Sequence, residues 1–420
     1  MNRLALSPCP ESAARTGQPG APAGDLLVLA PCLPRPDGDA RSVRWFHLLR
    51  FLARHYRVHL GCVADPLRDG ARFSRVRALS HETCFVAPPG FGQRMRVGSA
   101  ACDLVLKDWA ARLGARRPLV AALACGTRMA ACLPALPRGV VRAVDFVELE
   151  SDQQRRHGAA RPWPGAALWR RQARRLLAAE RAAGAACHYA LFAGAADVAR
   201  FRLFAPESAH KALQLASGVD PEHYSPHILH RSPYLAGQRP LLLPGPIDGP
   251  AGADAARWLA QEVFAPLRAA DPRLALVMAA PDAGTRLKAL ARQPGVVLAD
   301  GGADLRPYLA HAALVLAPPG NGHAASMAVL AAMALEKPVL GLPRALSGLA
   351  CLRLPEAYAA AGAPDFRARI RCLLSGAEPG MAQAGRAARA RVLREHDWNL
   401  RLAGLPALLG TAPLPLASAG

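Results

Sequence analysis

Asp25-Leu26-Leu27-Val28-Leu29-Ala30 is an acid followed by five apolar residues without a break, and Pro31 closes it. Such a run does not alternate, so it reads as a strand buried on both faces, the kind found in parallel sheets. Downstream, residues 33–39 form a Pro/Gly/Asp loop. A helical pattern then carries Val43, Phe46, Leu49 and Leu52, and a second strand spans residues 56–64. The rhythm continues with an apolar run near Phe85, a helix over 103–113, and apolar runs at 119–124 and 140–147. A basic helix over 168–183 and a strand at 188–193 follow. Residues 220–240, with Pro221, Pro226, Pro233 and Pro240, read as a hinge. Strands restart at 241–243, 274–278, 296–298, 313–317 and 339–340, with helices between them and at 381–395 and 398–409. Alternation at this spacing predicts an α/β fold of two Rossmann-like, doubly wound domains. Ligands of such sheets bind outside the carboxyl ends of the strands, here expected in an interdomain cleft. The expected boundaries are a disordered leader at 1–23, domains at 24–235 and 236–380, and helices at 381–412 crossing back to the first domain.

A chain of 420 residues suits two domains. Lys and Arg number 52 against 31 acids, for a net charge of +21, yet the only lysines are Lys107, Lys211, Lys288 and Lys337. Arginine spread along an Ala-, Gly- and Pro-rich chain reads as base-composition bias. The charge still favours anionic ligands and anionic membrane surfaces. No nucleic-acid reader motif accompanies it, so no specific nucleic-acid partner is expected. No apolar stretch is long enough to span a membrane, and Pro8, Pro10 and Glu11 interrupt any signal-peptide core. The ten cysteines include no C-x-x-C pair, which argues against a zinc site and fits a reducing, cytoplasmic location.

An ordered set of short segments resembles the GT-B glycosyltransferases of the large retaining family 4. Within it, the bacterial sugar transferases associated with PEP-CTERM/exosortase exopolysaccharide systems are most similar. The carriers are Leu33-Pro34 with the run from Arg44 to Arg50, residues 144–151, Ala216-Ser217-Gly218-Val219-Asp220, and His223-Tyr224-Ser225-Pro226. Gly245, Asp248, Asp254, Trp258, residues 304–309, residues 329–334 and Lys337-Pro338-Val339 complete the set. The resemblance implies a nucleotide-diphosphate-sugar donor in the second domain and a glycan or polyprenyl-linked acceptor on the first. It implies no metal and no cofactor beyond that substrate.

Retaining transfer needs the leaving diphosphate stabilised by cations, backbone N–H groups or a helix start. Donor-binding candidates are Gly245, Asp248, Gly320, Gly322, His323 and Ser326, the last four on a glycine-rich loop running into a helix. A plain turn is the alternative for that loop. The family's phosphate lysine falls on Ala328, its ribose glutamate on Ala331, its arginine on His323 and its asparagine on Met327. Its T-G-R segment falls on Ala299-Asp300-Gly301. Charged hydrogen bonds contribute roughly 1.5–3 kcal/mol each. Two losses therefore amount to about 3–6 kcal/mol, a hundredfold to ten-thousandfold in rate. A catalytically degraded relative acting as a binding or partner subunit is thus the second functional reading.

Catalytic candidates on the acceptor side are Asp145, Glu148, Glu150 and His47. Glu148 and Glu150, two apart on an expected strand end, would project to one side and suit hydroxyl recognition; a solvated strand end with Ser151 capping the next helix is the alternative. Asp145, between Val144 and Phe146, is expected to be pinned by hydrogen bonds, and His47, beside Phe46 and Leu48, reads first as a structural histidine. His223, His227 and His230 read as a solvated loop. Arg170, Arg171, Arg174 and Arg175 give one helix a basic face. That face suits peripheral attachment to the inner membrane, or simply a solvated surface.

Overall fold

The apolar run at residues 25–30 forms β1 (Asp25–Ala30), buried along its whole length. In the computed structural model it lies near the middle of a seven-stranded parallel sheet. The structure describes residues 23–37, 39–65, 69–70, 72–88, 100–159, 165–245, 247, 250–280, 283–299, 304–317, 323–346, 359–375 and 381–410. The expected leader falls outside these, apart from Ala23, whose N–H donates to the His55 carbonyl at 2.8 Å.

The first sheet comprises β1, β2 (Arg57–Val63), β3 (Glu82–Val86), β4 (Leu119–Cys125), β5 (Val141–Val147), β6 (Tyr189–Phe192) and β7 (Ala212–Gln214). Their order is β3-β2-β1-β4-β5-β6-β7. Strand order reverses between β1 and β4, which pair in register from Leu26 opposite Ala121 to Leu29 opposite Ala124. Helix α1 (Ala40–Leu52) follows β1 and is capped by Asp39, whose side chain accepts from the Arg41 and Ser42 N–H groups. Helices α2 (Glu150–Ala159) and α3 (Gly165–Ala186) pack against each other.

The second sheet has five parallel strands: β8 (Arg239–Leu243), β9 (Leu274–Ala279), β10 (Val296–Ala299), β11 (Leu314–Leu316) and β12 (Val339–Leu340). Their order is β10-β9-β8-β11-β12, so the reversal falls between β8 and β11. Helix α4 (His323–Ala334) follows β11 and packs on α5 (Met381–His396). Alanines of α4 supply part of this unit's apolar core. Ala331, Ala332 and Ala334 share a core with Leu242, Val315 and Val392.

Contacts divide the chain into two compact units, residues 1–216 with 402–420, and residues 217–401. The Pro-rich stretch expected as a hinge, including the expected boundary at 235, therefore falls in the second unit. Val219, in its N-terminal segment, belongs to that unit's core. The helix expected over 398–409 is two, Trp398–Leu402 and Leu405–Gly410. Pro406 has no N–H to continue a helix across Gly404.

Candidate functional site

Each reversal of strand order brings two loops together at the carboxyl ends of neighbouring strands, where open α/β sheets bind ligands. In the first unit the segments after β1 and β4 flank the reversal, and the end of β5 lies next to them. The loop after β1 is tied to α1: the Ser42 hydroxyl donates to the Leu33 carbonyl at 3.0 Å and accepts from the Arg35 N–H at 3.1 Å. Two residues further on, Arg44 lies wholly buried against an equally buried Asp145, bidentate at 2.8 and 2.9 Å. The Trp45 indole N–H adds a third bond to Asp145 at 3.1 Å. Asp145 is thus pinned, as its neighbours suggested. The pair fastens α1 to β5 and offers no carboxylate to a ligand. His47 is also buried on α1, its ring edge-on to Phe46.

Glu148 and Glu150 do not stand on a strand end. β5 stops at Val147, which holds φ at 67°, while the Glu148 N–H turns back onto the Phe146 carbonyl at 2.8 Å. A β-branched residue at positive φ is strained backbone. It reverses the chain so that Glu150 opens α2, and the two-residue strand spacing no longer applies. The carboxylates still converge, but through Arg41. This side chain donates to Glu150 Oε1 and lies 3.9 Å from Glu148 Oε2, which also accepts from Gln153 at 2.6 Å. Arg41 and Glu150 each keep 32% of their side-chain surface exposed, so this acid–base–acid group faces solvent with donors and acceptors suited to sugar hydroxyls. Behind it, burial and then the Glu148 charge push the Asp197 carboxyl above its usual range. Nothing in the sequence marked Arg41, which lies 109 residues from its partner Glu150.

In the second unit β8 runs into Gly245, where a Cβ would sit 3.0 Å from the Ala279 carbonyl, so the chain there passes close against the end of β9. Across the reversal, His323 is the first residue of α4 and only 5% exposed. Its Nδ1 lies 3.0 Å from Ser217 Oγ. Ser326 is half-buried on the next turn. Asp248, Gly320 and Gly322 lie outside the described residues, as do Asp300 and Gly301. Ala328 and Ala331 are 9% and 5% exposed. Among the described residues no group of three or more His, Cys, Asp or Glu side chains is placed to hold a metal. His223 faces Arg306 at 3.4 Å, while His230 contributes its carbonyl to His311. A hollow of about 430 Å³ lined by Leu119, Val120, Pro137, Val141 and Leu409 lies at the amino ends of β4 and β5, opposite the candidate site.

Residues 241–361, the stretch holding this second reversal, match the profile of the family described as Glycosyl transferases group 1. The two Rossmann-like units have the fold of GT-B glycosyltransferase structures. Sucrose-phosphate synthase from Thermosynechococcus elongatus superposes with a TM-score of 0.63 at 15% identity, covering 91% of this chain and 98% of that one. A glycosyltransferase from Rickettsia africae gives 0.61 at 10% identity, with 92% and 98% covered. HepE from Anabaena, solved with UDP and glucose, gives 0.58 at 13% identity, with 92% and 99% covered. No curated protein matches by sequence.

Proposed function

We propose that this chain transfers a sugar, with retention, from a nucleotide-diphosphate sugar to a glycan or polyprenyl-linked acceptor in exopolysaccharide assembly. The observation that carries the reading is the placement of Gly245 and His323 on the two sides of the β8/β11 reversal, inside the stretch that matches the glycosyltransferase family. The diphosphate would lie at the start of α4, where backbone N–H groups point outward and the His323 imidazole stands at the first turn. As the glycosidic bond to the anomeric carbon breaks, negative charge grows on the leaving diphosphate, and these donors stabilise it. The complexes of HepE with UDP and with UDP-glucose support a uridine nucleotide as the donor. In the first unit Arg41, Glu148 and Glu150 would hold acceptor hydroxyls. The exposed Arg170, Arg171, Arg174 and Arg175 of α3 would attach the protein to the anionic inner membrane face, next to a lipid-linked acceptor.

Titration calorimetry with UDP, GDP and ADP tests the donor site, with micromolar binding of one of them expected. The binding-subunit reading is favoured by the burial of Ala328 and Ala331, where the family resemblance implies a lysine and a glutamate. Binding without turnover of any nucleotide sugar would select it. No binding by the folded protein would overturn the donor site.

A further inference from the structure

His323 opens α4, yet the group that holds it comes from the first residue of the second unit, 106 positions earlier. Ser217 and His323 are 6% and 5% exposed, so their 3.0 Å contact is sheltered from water. Ser217 is itself fixed through its backbone. Its carbonyl faces His396 Nδ1 at 3.0 Å, and the Val219 N–H donates to the His396 carbonyl at 2.6 Å. Between them Gly218 lies flat against the chain: a Cβ there would come within 2.8 Å of the His396 oxygen and of the Trp398 backbone. Only glycine fits so close an approach.

The tautomer of His396 follows from its partners. Nδ1 faces a carbonyl and must carry a proton, whereas Nε2 faces Arg401 at 3.2 Å, a pure donor, and must be a lone pair. The neutral ring satisfies both. Burial, with the Arg401 charge adding to it, pushes the pKa of His396 down to about 4, so the clamp does not titrate near neutrality.

We propose that Ser217 is a positioning residue for the nucleotide-diphosphate site, its hydroxyl donating to Nδ1 of His323 and so keeping that ring's proton on Nε2, the nitrogen that would then give a hydrogen bond to a phosphate oxygen. This rests on the reading that the diphosphate lies at the start of α4. A neutral imidazole can give a phosphate oxygen a hydrogen bond only from the nitrogen that carries the proton. A ring free to turn would offer that nitrogen part of the time and lose affinity accordingly.

The test uses the full chain with UDP, and with GDP and ADP as further probes. Ser217→Ala should weaken binding about tenfold, the size expected for one ordered hydrogen bond, whereas Ser217→Thr, which keeps the hydroxyl, should stay within about twofold. A merely structural serine would lower the unfolding midpoint and leave affinity unchanged, and that result overturns the proposal. Imidazole ¹⁵N spectra of the wild-type protein give a reading that needs no variant to fold. The Nε2–H form of His323 is expected, and the Nδ1–H form overturns the assignment. If the wild type binds none of the three nucleotides, the donor-site reading fails and this inference fails with it. Binding that Ser217→Ala does not alter removes this inference alone.

Discussion

Asp145 and Glu180 are two fully buried acids kept by opposite means. Asp145 is held in a bidentate pair with Arg44, and Trp45 fills its remaining acceptor capacity. Removing one partner of such a pair strands the other charge in the core, at a cost of about 3–5 kcal/mol, while replacing both by apolar groups is often close to neutral. Asp145→Ala should therefore lower the urea midpoint sharply, and Arg44→Met with Asp145→Leu should recover most of it. Equal losses in the single and double variants would rule out a stranded charge. Among the described residues no cation pairs with Glu180. It accepts from the Ser151 N–H at 3.0 Å and from the Ser151 hydroxyl, closing the start of α2. Burial, the largest influence, pushes its pKa from 4.5 up to about 7. Between those values the native state holds a proton that the unfolded chain has released, so stability falls as pH rises from about 4.5 to 7 and then levels off. The difference corresponds to about 3 kcal/mol. Glu180→Gln removes the titration, so the variant should gain on the wild type by that order between pH 5 and 8 in parallel urea melts. Curves that stay parallel would show that Glu180 titrates normally.

At the scale of elements, strands whose burial is continuous were legible, because an unbroken apolar run between turn residues has few other readings. Asp25–Ala30 and Val339–Leu340 begin and end where the sequence places them. What escaped was either short or determined by backbone conformation. β7 is three residues at a sheet edge, directly after Lys211. The turn at Val147 depends on a positive φ that no valine advertises. Of the candidate site, Gly245 was named from the family resemblance and His323 from the glycine-rich run that enters a helix. The parts of Arg41, Ser217 and His396 were not legible, because each meets its partner across 106 to 179 positions of chain. The buried face of α4 gives a test of the missing family groups. Ala331 lies in an apolar core with Leu242 and Val315, so Ala331→Glu buries a carboxylate and should cost about 3 kcal/mol or more in urea unfolding. An unchanged midpoint would mean that this face opens onto a polar pocket. On α3 the four exposed arginines make no ion pair with any described residue, and Leu168 beside them is 68% exposed. Sedimentation with anionic vesicles should therefore weaken with salt and weaken further in Arg170→Glu with Arg174→Glu. Equal binding to neutral vesicles would discard the electrostatic surface.

For the whole molecule, the division into units makes the proposed donor site local in an unusual sense: every residue assigned to it comes from the 185-odd positions of the second unit, including both ends of that segment at Ser217 and Arg401. A ligand that binds only the native state stabilises it by RT ln(1 + [L]/Kd), about 2.7 kcal/mol at a hundredfold excess over Kd. Because local opening free energies differ across a structure, that protection should be uneven and should map the site. Hydrogen exchange with saturating UDP should slow at the end of β8 near Leu243, through the first turns of α4, and at Ser217 to Val219, where the backbone is bonded to His396. The first turns of α1 and α2, which carry Arg41 and Glu150, should exchange at the same rate with and without UDP, since the proposal assigns them to acceptor hydroxyls. Slowing confined to α4 would leave the donor site intact and detach Ser217 from it. Slowing confined to the segments around Arg41 and Glu150 would move the nucleotide to the β1/β4 reversal of the first sheet, and the assignment of donor and acceptor would have to be exchanged.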